Sequence, residues 1–288
     1  MSIHPPNYRL PDATAVGGVK LQVSNLDRSL SYYTKVLGLR VLQESQGVAL
    51  LGAEGATTPL VELHEDRSVR PVPARGRLGL FHFAILLPDR PALGRFLGHL
   101  MELGIQAGMS DHYVSEAIYL QDPDNLGIEI YRDRPRSEWR EEGGELAMST
   151  VPMDARGVAA AAGGERWSGM PAGTKMGHVH LHVGNIDEAS RFYHDALGLD
   201  KVVWSYPGAL FLSAGGYHHH LGTNVWARGA PSAGPEDARL LEWRLELQAE
   251  AEVDAAAKSV AGAGYVVERD GTSAIVRDPW GTMLRLSD

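Results

Sequence analysis

Gly17-Gly-Val-Lys-Leu-Gln-Val-Ser-Asn-Leu-Asp27 and Gly177-His-Val-His-Leu-His-Val-Gly-Asn-Ile-Asp187 are two versions of one stretch, and each runs into a helical segment that closes on Leu-Gly-Leu, at 37–39 and at 197–199. A repeat at this distance implies duplicated units that bury their faces against each other. In the first copy, Val19, Leu21 and Val23 alternate with polar residues, the pattern of a strand with one buried face. Asn25 and Asp27 stand where a helix N-cap is expected. Leu30, Tyr33, Val36 and Leu37 then recur at helical spacing, and Gly38 supplies the backbone freedom that ends the helix.

Two further units share the order of strand, helix and more strands. Phe81-His-Phe-Ala-Ile-Leu-Leu87 reads as a buried strand and residues 90–103 as an amphipathic helix; strands at 117–121 and 127–131 are joined by the turn Asp122-Pro-Asp-Asn. The copy that opens at Gly177 predicts a strand at 178–183, a helix at 187–197, and strands at 209–213 and 219–226. A last unit predicts strands at 241–247, 274–278 and 283–286 with a helix at 251–263, and its Asp278-Pro-Trp-Gly echoes the earlier turn. The organisation is therefore module 1 at 15–66, module 2 at 78–133, module 3 at 175–228 and module 4 at 240–287. Residues 134–174 carry clustered charge, Gly, Pro and an Ala run, and are expected to be a long connector holding a short helix. Four βαβββ modules in mixed sheets make the fold class α+β.

Composition narrows the function classes. The 288 residues suffice for two domains and a sizeable core. A formal charge of −9 argues against a nucleic-acid surface and against a polybasic membrane anchor. No apolar run approaches the length of about 20 residues that a spanning helix needs. The stretch Met1-Ser-Ile-His-Pro-Pro-Asn7 lacks the regions of a secretory signal. With no cysteine there are no disulfides and no thiol nucleophile. The expectation is a soluble, cytoplasmic protein, compatible with a homo-oligomer.

Two motifs carry a family resemblance. Ser115-Glu-Ala-Ile-Tyr-Leu-Gln-Asp-Pro-Asp-Asn-Leu-Gly-Ile-Glu129 resembles the final hairpin of catechol 2,3-dioxygenases, in which a Tyr precedes Asp-Pro and a Glu ends the run. Phe211-Leu-Ser-Ala-Gly-Gly-Tyr-His-His-His-Leu221 resembles the dioxygenase strand that contributes a catalytic histidine. With these motifs the four units resemble the vicinal-oxygen-chelate superfamily, which includes glyoxalase I, bleomycin-resistance proteins and extradiol ring-cleaving dioxygenases. Within it the likeness is to bacterial catechol-2,3-dioxygenases.

That resemblance implies metal ligands at the start of a module's first strand and in its last strand. Module 2 offers His82 and Glu129 there, and module 3 offers His178; His180 and His182 share the face of His178 by period-two alternation, so register alone does not choose among the three. Two neutral imidazoles and one carboxylate form the facial set that suits non-haem Fe(II), and Mn(II) fits the same donors. The better-known dioxygenases keep the set within their C-terminal pair of modules. Here module 4 has Glu242 and Arg285 at the corresponding places and module 1 has Gly18. An arginine presents no lone pair to a metal. The expectation is that modules 2 and 3 share the metal cleft, while modules 1 and 4 form a metal-free cleft with Glu242 and Arg285 as an ion pair. The rival pairing of modules 1 and 2 brings Glu62 to His82 and Glu129, a set closer to glyoxalase I.

The resemblance also implies roles for the chemistry. His219 is the candidate acid/base histidine, with His218 and His220 on the other face of a regular strand as structural or supporting groups. Tyr119 is the candidate donor to a substrate oxygen and His112 a candidate substrate-binding group; Trp204, Tyr206 and Trp226 are candidate pocket aromatics. The implied activity is Fe(II)-dependent extradiol cleavage of a small aromatic diol, with O2 as co-substrate, to a 2-hydroxymuconic semialdehyde-type product. The rivals are a glyoxalase-like metal-dependent isomerase or lyase, and a non-catalytic bleomycin-resistance-like binder of a planar ligand.

Overall fold

A computed structural model of the chain describes residues 2–74 and 76–288. Module 1 comprises β1 (Ala15–Val23), α1 (Leu26–Lys35), β2 (Arg40–Ser45), β3 (Val48–Gly52) and β4 (Val61–Glu65). Module 2 comprises β5 (Gly79–Leu86), α2 (Arg90–Glu102), β6 (Gly108–Asp111), β7 (Ser115–Gln121) and β8 (Gly127–Asp133). The connector holds a 3-10 turn at Arg136–Glu138, a small hairpin of β9 (Glu141–Glu142) and β10 (Glu145–Leu146), and α3 (Ala155–Ala161). Module 3 comprises β11 (Lys175–His182), α4 (Ile186–Ser190), β12 (Asp200–Val203), β13 (Ala209–Ser213) and β14 (Leu221–Asn224). Module 4 comprises β15 (Arg239–Glu246), α5 (Glu250–Gly262), β16 (Val267–Asp270), β17 (Ser273–Arg277) and β18 (Met283–Ser287).

Two eight-stranded sheets organise these modules. One has the order β12-β13-β14-β11-β5-β8-β7-β6 and so joins module 3 to module 2; the other, β16-β17-β18-β15-β1-β4-β3-β2, joins module 4 to module 1. At the centre of each, two first strands run antiparallel, with His180 opposite His82 in one and Lys20 opposite Glu242 in the other. Alternation along β5 sends Phe83 and Ile85 into the main core and leaves Ala84 in a separate cluster with Ala117 and Tyr131. Buried Leu93, Phe96, Leu97 and Leu100 give α2 its apolar face against that core, and Asp89 caps its start by accepting from the Ala92 N–H at 2.8 Å. No helix among the described residues is long and apolar enough to cross a membrane.

Three expectations change at this level. The helix anticipated at 187–197 is α-helical only to Ser190 and continues as a π-helical stretch, Arg191–Ala196, in which Phe192, Tyr193 and His194 are buried in succession. The strand anticipated at 219–226 starts only at Leu221, so His218, His219 and His220 precede it in an irregular turn after Gly215 and Gly216, both at positive φ. A regular alternation of those three histidines therefore does not occur. The connector also contains strand pairing, and it bridges Asp111 through Val151 beside β6.

Candidate metal centre and its cavity

His82 on β5, Glu129 on β8 and His178 on β11 meet on one face of the first sheet. Nε2 of His82 lies 3.0 Å from Oε2 of Glu129, Nε2 of His178 lies 3.3 Å from the same oxygen, and the two nitrogens are 3.4 Å apart. Sheet register explains the convergence: β5 and β8 are parallel neighbours with Ala84 opposite Glu129, and β11 lies on the other side of β5 with His178 opposite Ala84. Register distinguishes the histidines of β11: His178 lies opposite Ala84, the residue that faces Glu129, whereas His180 lies opposite His82 and His182 opposite Gly79. His178 joins His82 and Glu129, whereas His180 accepts from the Asn224 amide at 3.0 Å and His182 donates from Nδ1 to Asn224 Oδ1 at 2.7 Å.

Two glycines make room for this packing. A Cβ on Gly177 would sit 1.7 Å from the Tyr131 hydroxyl, and one on Gly222 would sit 2.8 Å from the ring of His180. His178 Nδ1 is buried without a hydrogen-bond partner. Its ring is held instead by packing, with centroids 5.0 Å from Tyr131 and 4.0 Å from His219.

The donor set fits a divalent metal. Three donors about 2.1 Å from an ion and at mutual right angles lie about 3.0 Å from one another, close to the observed spacing. Burial pushes the His178 imidazole down to about 4 against the opposing pull of Glu129, so it is neutral and keeps a lone pair for coordination. Burial acts to raise Glu129, but His178 and His82 beside it hold it well below the usual carboxylate range. Among the described residues this is the one group of three or more metal-ligating side chains close enough to share an ion.

The set opens into a cavity of about 360 Å³ whose walls include Phe81, Tyr206, Phe211 and Trp226. Connector residues Met148, Ser149 and Thr150 close one side. Tyr119, opposite Glu129 in the β7–β8 pair, lines it with its hydroxyl 2.6 Å from His112 Nε2. His112 donates from Nδ1 to the Ser149 carbonyl at 2.7 Å, which ties this pair to the connector. Burial first, then the nearby Glu129 charge, raises the Tyr119 phenol well above its ordinary value and keeps it protonated. His219 also faces the cavity, and burial holds its imidazole well below the usual histidine range. Trp204 is outside the lining, 37 % exposed.

Among the described residues, the second sheet carries no such set. Glu242 receives Arg285 Nε at 3.0 Å, with Arg244 at 3.4 Å and Lys20 at 3.8 Å nearby. Glu62 belongs to this cluster, paired with Arg244, and does not join His82 and Glu129. The sequence reading missed Asp133 and Asn224, which contact the histidines of module 3; the contacts span most of a module or more, and no local pattern announces them.

Comparison with known proteins gives concordant findings. The family profile described as Glyoxalase/Bleomycin resistance protein/Dioxygenase superfamily matches residues 15–130 and 175–286. A catechol-2,3-dioxygenase of Bacillus subtilis (strain 168) is 46% identical over 270 residues, covering 92% of this chain and 94% of that protein. The crystal structure of a proposed dioxygenase from Bacillus subtilis subsp. subtilis str. 168 superposes with a TM-score of 0.67 at 15% identity, over 98% of this chain and 86% of that one. Glyoxalase I from Zea mays gives a TM-score of 0.54 at 17% identity, over 95% and 92%. At these identities the two structures speak to the fold alone.

Proposed function

The chain belongs to the glyoxalase/bleomycin resistance protein/dioxygenase superfamily, and on that premise we propose that it is an Fe(II)-dependent extradiol dioxygenase that opens a catechol-type ring beside its diol, giving a 2-hydroxymuconic semialdehyde-type product. The observation that carries this reading is the buried cluster of His82, His178 and Glu129 at the wall of an aromatic-lined cavity. The extensive identity to a catechol-2,3-dioxygenase supports the same class of reaction.

His82, His178 and Glu129 would hold the metal. Fe(II) supplies Lewis acidity and an electron path between diol and O2 when bound, and Mn(II) fits the same donors. Phe81, Phe211 and Trp226 form apolar walls that suit a planar ring and exclude water from it. His219, neutral through burial, takes a proton from a diol hydroxyl and returns it later in the reaction. Tyr119 and His112 present a hydrogen-bonding pair to a substrate oxygen, the phenol remaining protonated at neutral pH.

The test is anaerobic loading with Fe(II), addition of catechol, then admission of O2. One O2 consumed per ring, with the yellow ring-opened product, is the expected result. Isomerisation of a thiohemiacetal without O2 uptake would establish the glyoxalase-like alternative, and tight binding of a planar ligand without turnover would establish the binder.

A further inference from the structure

Asp133, His218 and His219 form a continuous hydrogen-bonded line that ends at the cavity. Nε2 of His218 lies 2.8 Å from Oδ1 of Asp133, and Nδ1 of His218 lies 2.7 Å from Nδ1 of His219. His218 is fully buried, whereas Asp133 at the end of β8 is partly open to solvent. The Tyr217 hydroxyl donates to the same Asp133 oxygen at 3.2 Å.

We propose that Asp133 and His218 are positioning residues that fix the tautomer of His219, leaving its Nε2 unprotonated and directed to the cavity. A carboxylate accepts only, so Nε2 of His218 carries a proton against Asp133, and in the proposed arrangement it is the only proton on that ring. Nδ1 of His218 is then a lone pair, and the short contact to His219 requires a proton on His219 Nδ1. A neutral His219 carries no second proton, which leaves Nε2 as a bare acceptor. Nδ1 being engaged by His218, Nε2 is the nitrogen available to the cavity that the ring lines.

The packing is consistent with a fixed ring. The His219 ring is tilted 44° to that of His178 with centroids 4.0 Å apart and packs edge-on at 5.0 Å from Phe211, while Tyr217 lies 4.1 Å from the His218 ring. The inference rests on the proposed role of His219 and specifies it: His219 meets the diol as a base, and it becomes an acid only after it has taken up that proton.

The tautomer is read directly by long-range proton–nitrogen NMR on the full chain labelled with 15N-histidine and free of metal, so that this measurement is independent of turnover. The expected spectrum of the unaltered protein shows His219 with a protonated Nδ1 and a bare Nε2. A protonated Nε2 and bare Nδ1 in that protein would overturn the proposal, whatever any variant does. In His218→Phe, the fixed tautomer should give way to a mixture. After iron loading, kcat should fall about 10–100-fold, the usual effect of removing a supporting partner, with KM and iron content near the unaltered values. His218→Gln, whose amide oxygen can accept from His219 Nδ1, should recover part of that loss. An unchanged His219 spectrum in His218→Phe would sink the idea even if turnover fell. The expected tautomer in a protein that fails to open catechol would instead count against the dioxygenase reading and leave this one standing.

Discussion

The hydroxyl of Tyr33, in the helix of the first module, donates to the carboxylate of Asp122, in the last turn of the second, across 3.1 Å. The third and fourth modules repeat the contact at 2.9 Å, from Tyr193 to Asp278. Each carboxylate also accepts from two backbone N–H groups of its own turn, Asp124 and Leu126 in one case and Trp280 and Thr282 in the other. The turn is thereby shaped and tied to the neighbouring module by one side chain.

Burial pushes the Asp122 carboxyl up to about 7 from an ordinary value of 3.8 and raises Asp278 in the same direction. Between about pH 4 and 7 the folded chain keeps a proton on Asp122 that the unfolded chain has released, so this group makes stability fall as pH rises through that window. The Asp122→Asn variant, which cannot ionise, should show a smaller loss of stability from pH 5 to pH 7. Urea unfolding midpoints at the two pH values measure it; equal losses in both proteins would contradict the assignment.

Replacing Glu129 by Ala should abolish tight metal binding, because the remaining donors are two imidazoles without the anionic partner both now face. In the unaltered protein, Fe(II) added without oxygen should raise the melting temperature, since an ion held only by the folded state stabilises it. That rise should be absent in Glu129→Ala. Metal content by elemental analysis and anaerobic melting curves provide the check.

Replacing His219 by Ala should leave iron content near that of the unaltered protein, since its ring packs on His178 but stands outside the cluster of three donors. Turnover of catechol should fall about 10²–10⁴-fold if the residue acts as acid and base. Loss of iron along with activity would make it a ligand instead.

Removing one hydroxyl tests the Tyr119–His112 pair. Tyr119→Phe keeps the ring in the cavity wall but deletes the contact to His112. A fall in kcat of roughly 10²-fold is expected for the loss of one positioned hydrogen-bonding hydroxyl, with binding of catechol little changed. A kcat equal to that of the unaltered enzyme would assign Tyr119 to the wall alone.

Arg285→Ala should act on the fold and not on the chemistry. Glu242 is almost completely buried and would retain Lys20 and Arg244 as neighbours, so a loss of roughly 1–3 kcal/mol is expected from the missing charged hydrogen bond. Denaturant unfolding measures the loss, and iron content should be unaffected.

The α+β class was legible because its signals are local. Val19, Leu21 and Val23 alternate, and Asn25 caps α1 by accepting from the Arg28 N–H at 2.8 Å. Edge strands such as Arg40–Ser45 were harder to read, since an exposed strand has no buried face to impose alternation. His82, Glu129 and His178 were named from the family motifs, while the choice of His178 over His180 and His182 depends on its pairing opposite Ala84 and on Asn224, which engages the other two. The triple histidine misled for a physical reason. Alternation holds only in extended backbone, and the turn before Leu221 brings His218 and His219 into contact instead of sending them to opposite faces.

Placing β11 beside β5 and β15 beside β1 gives each sheet one module from either half of the chain. A polypeptide of two such modules would have no complete eight-stranded sheet alone. Two copies would satisfy each other reciprocally, the second module of one against the first of the other, and symmetry would create two identical clefts at once. Passing one covalent chain through residues 134–174 removes that obligation of sameness. One cleft is then free to concentrate histidines, while its twin fills with opposed charges such as Glu242 and Arg285 and serves as ballast for the fold.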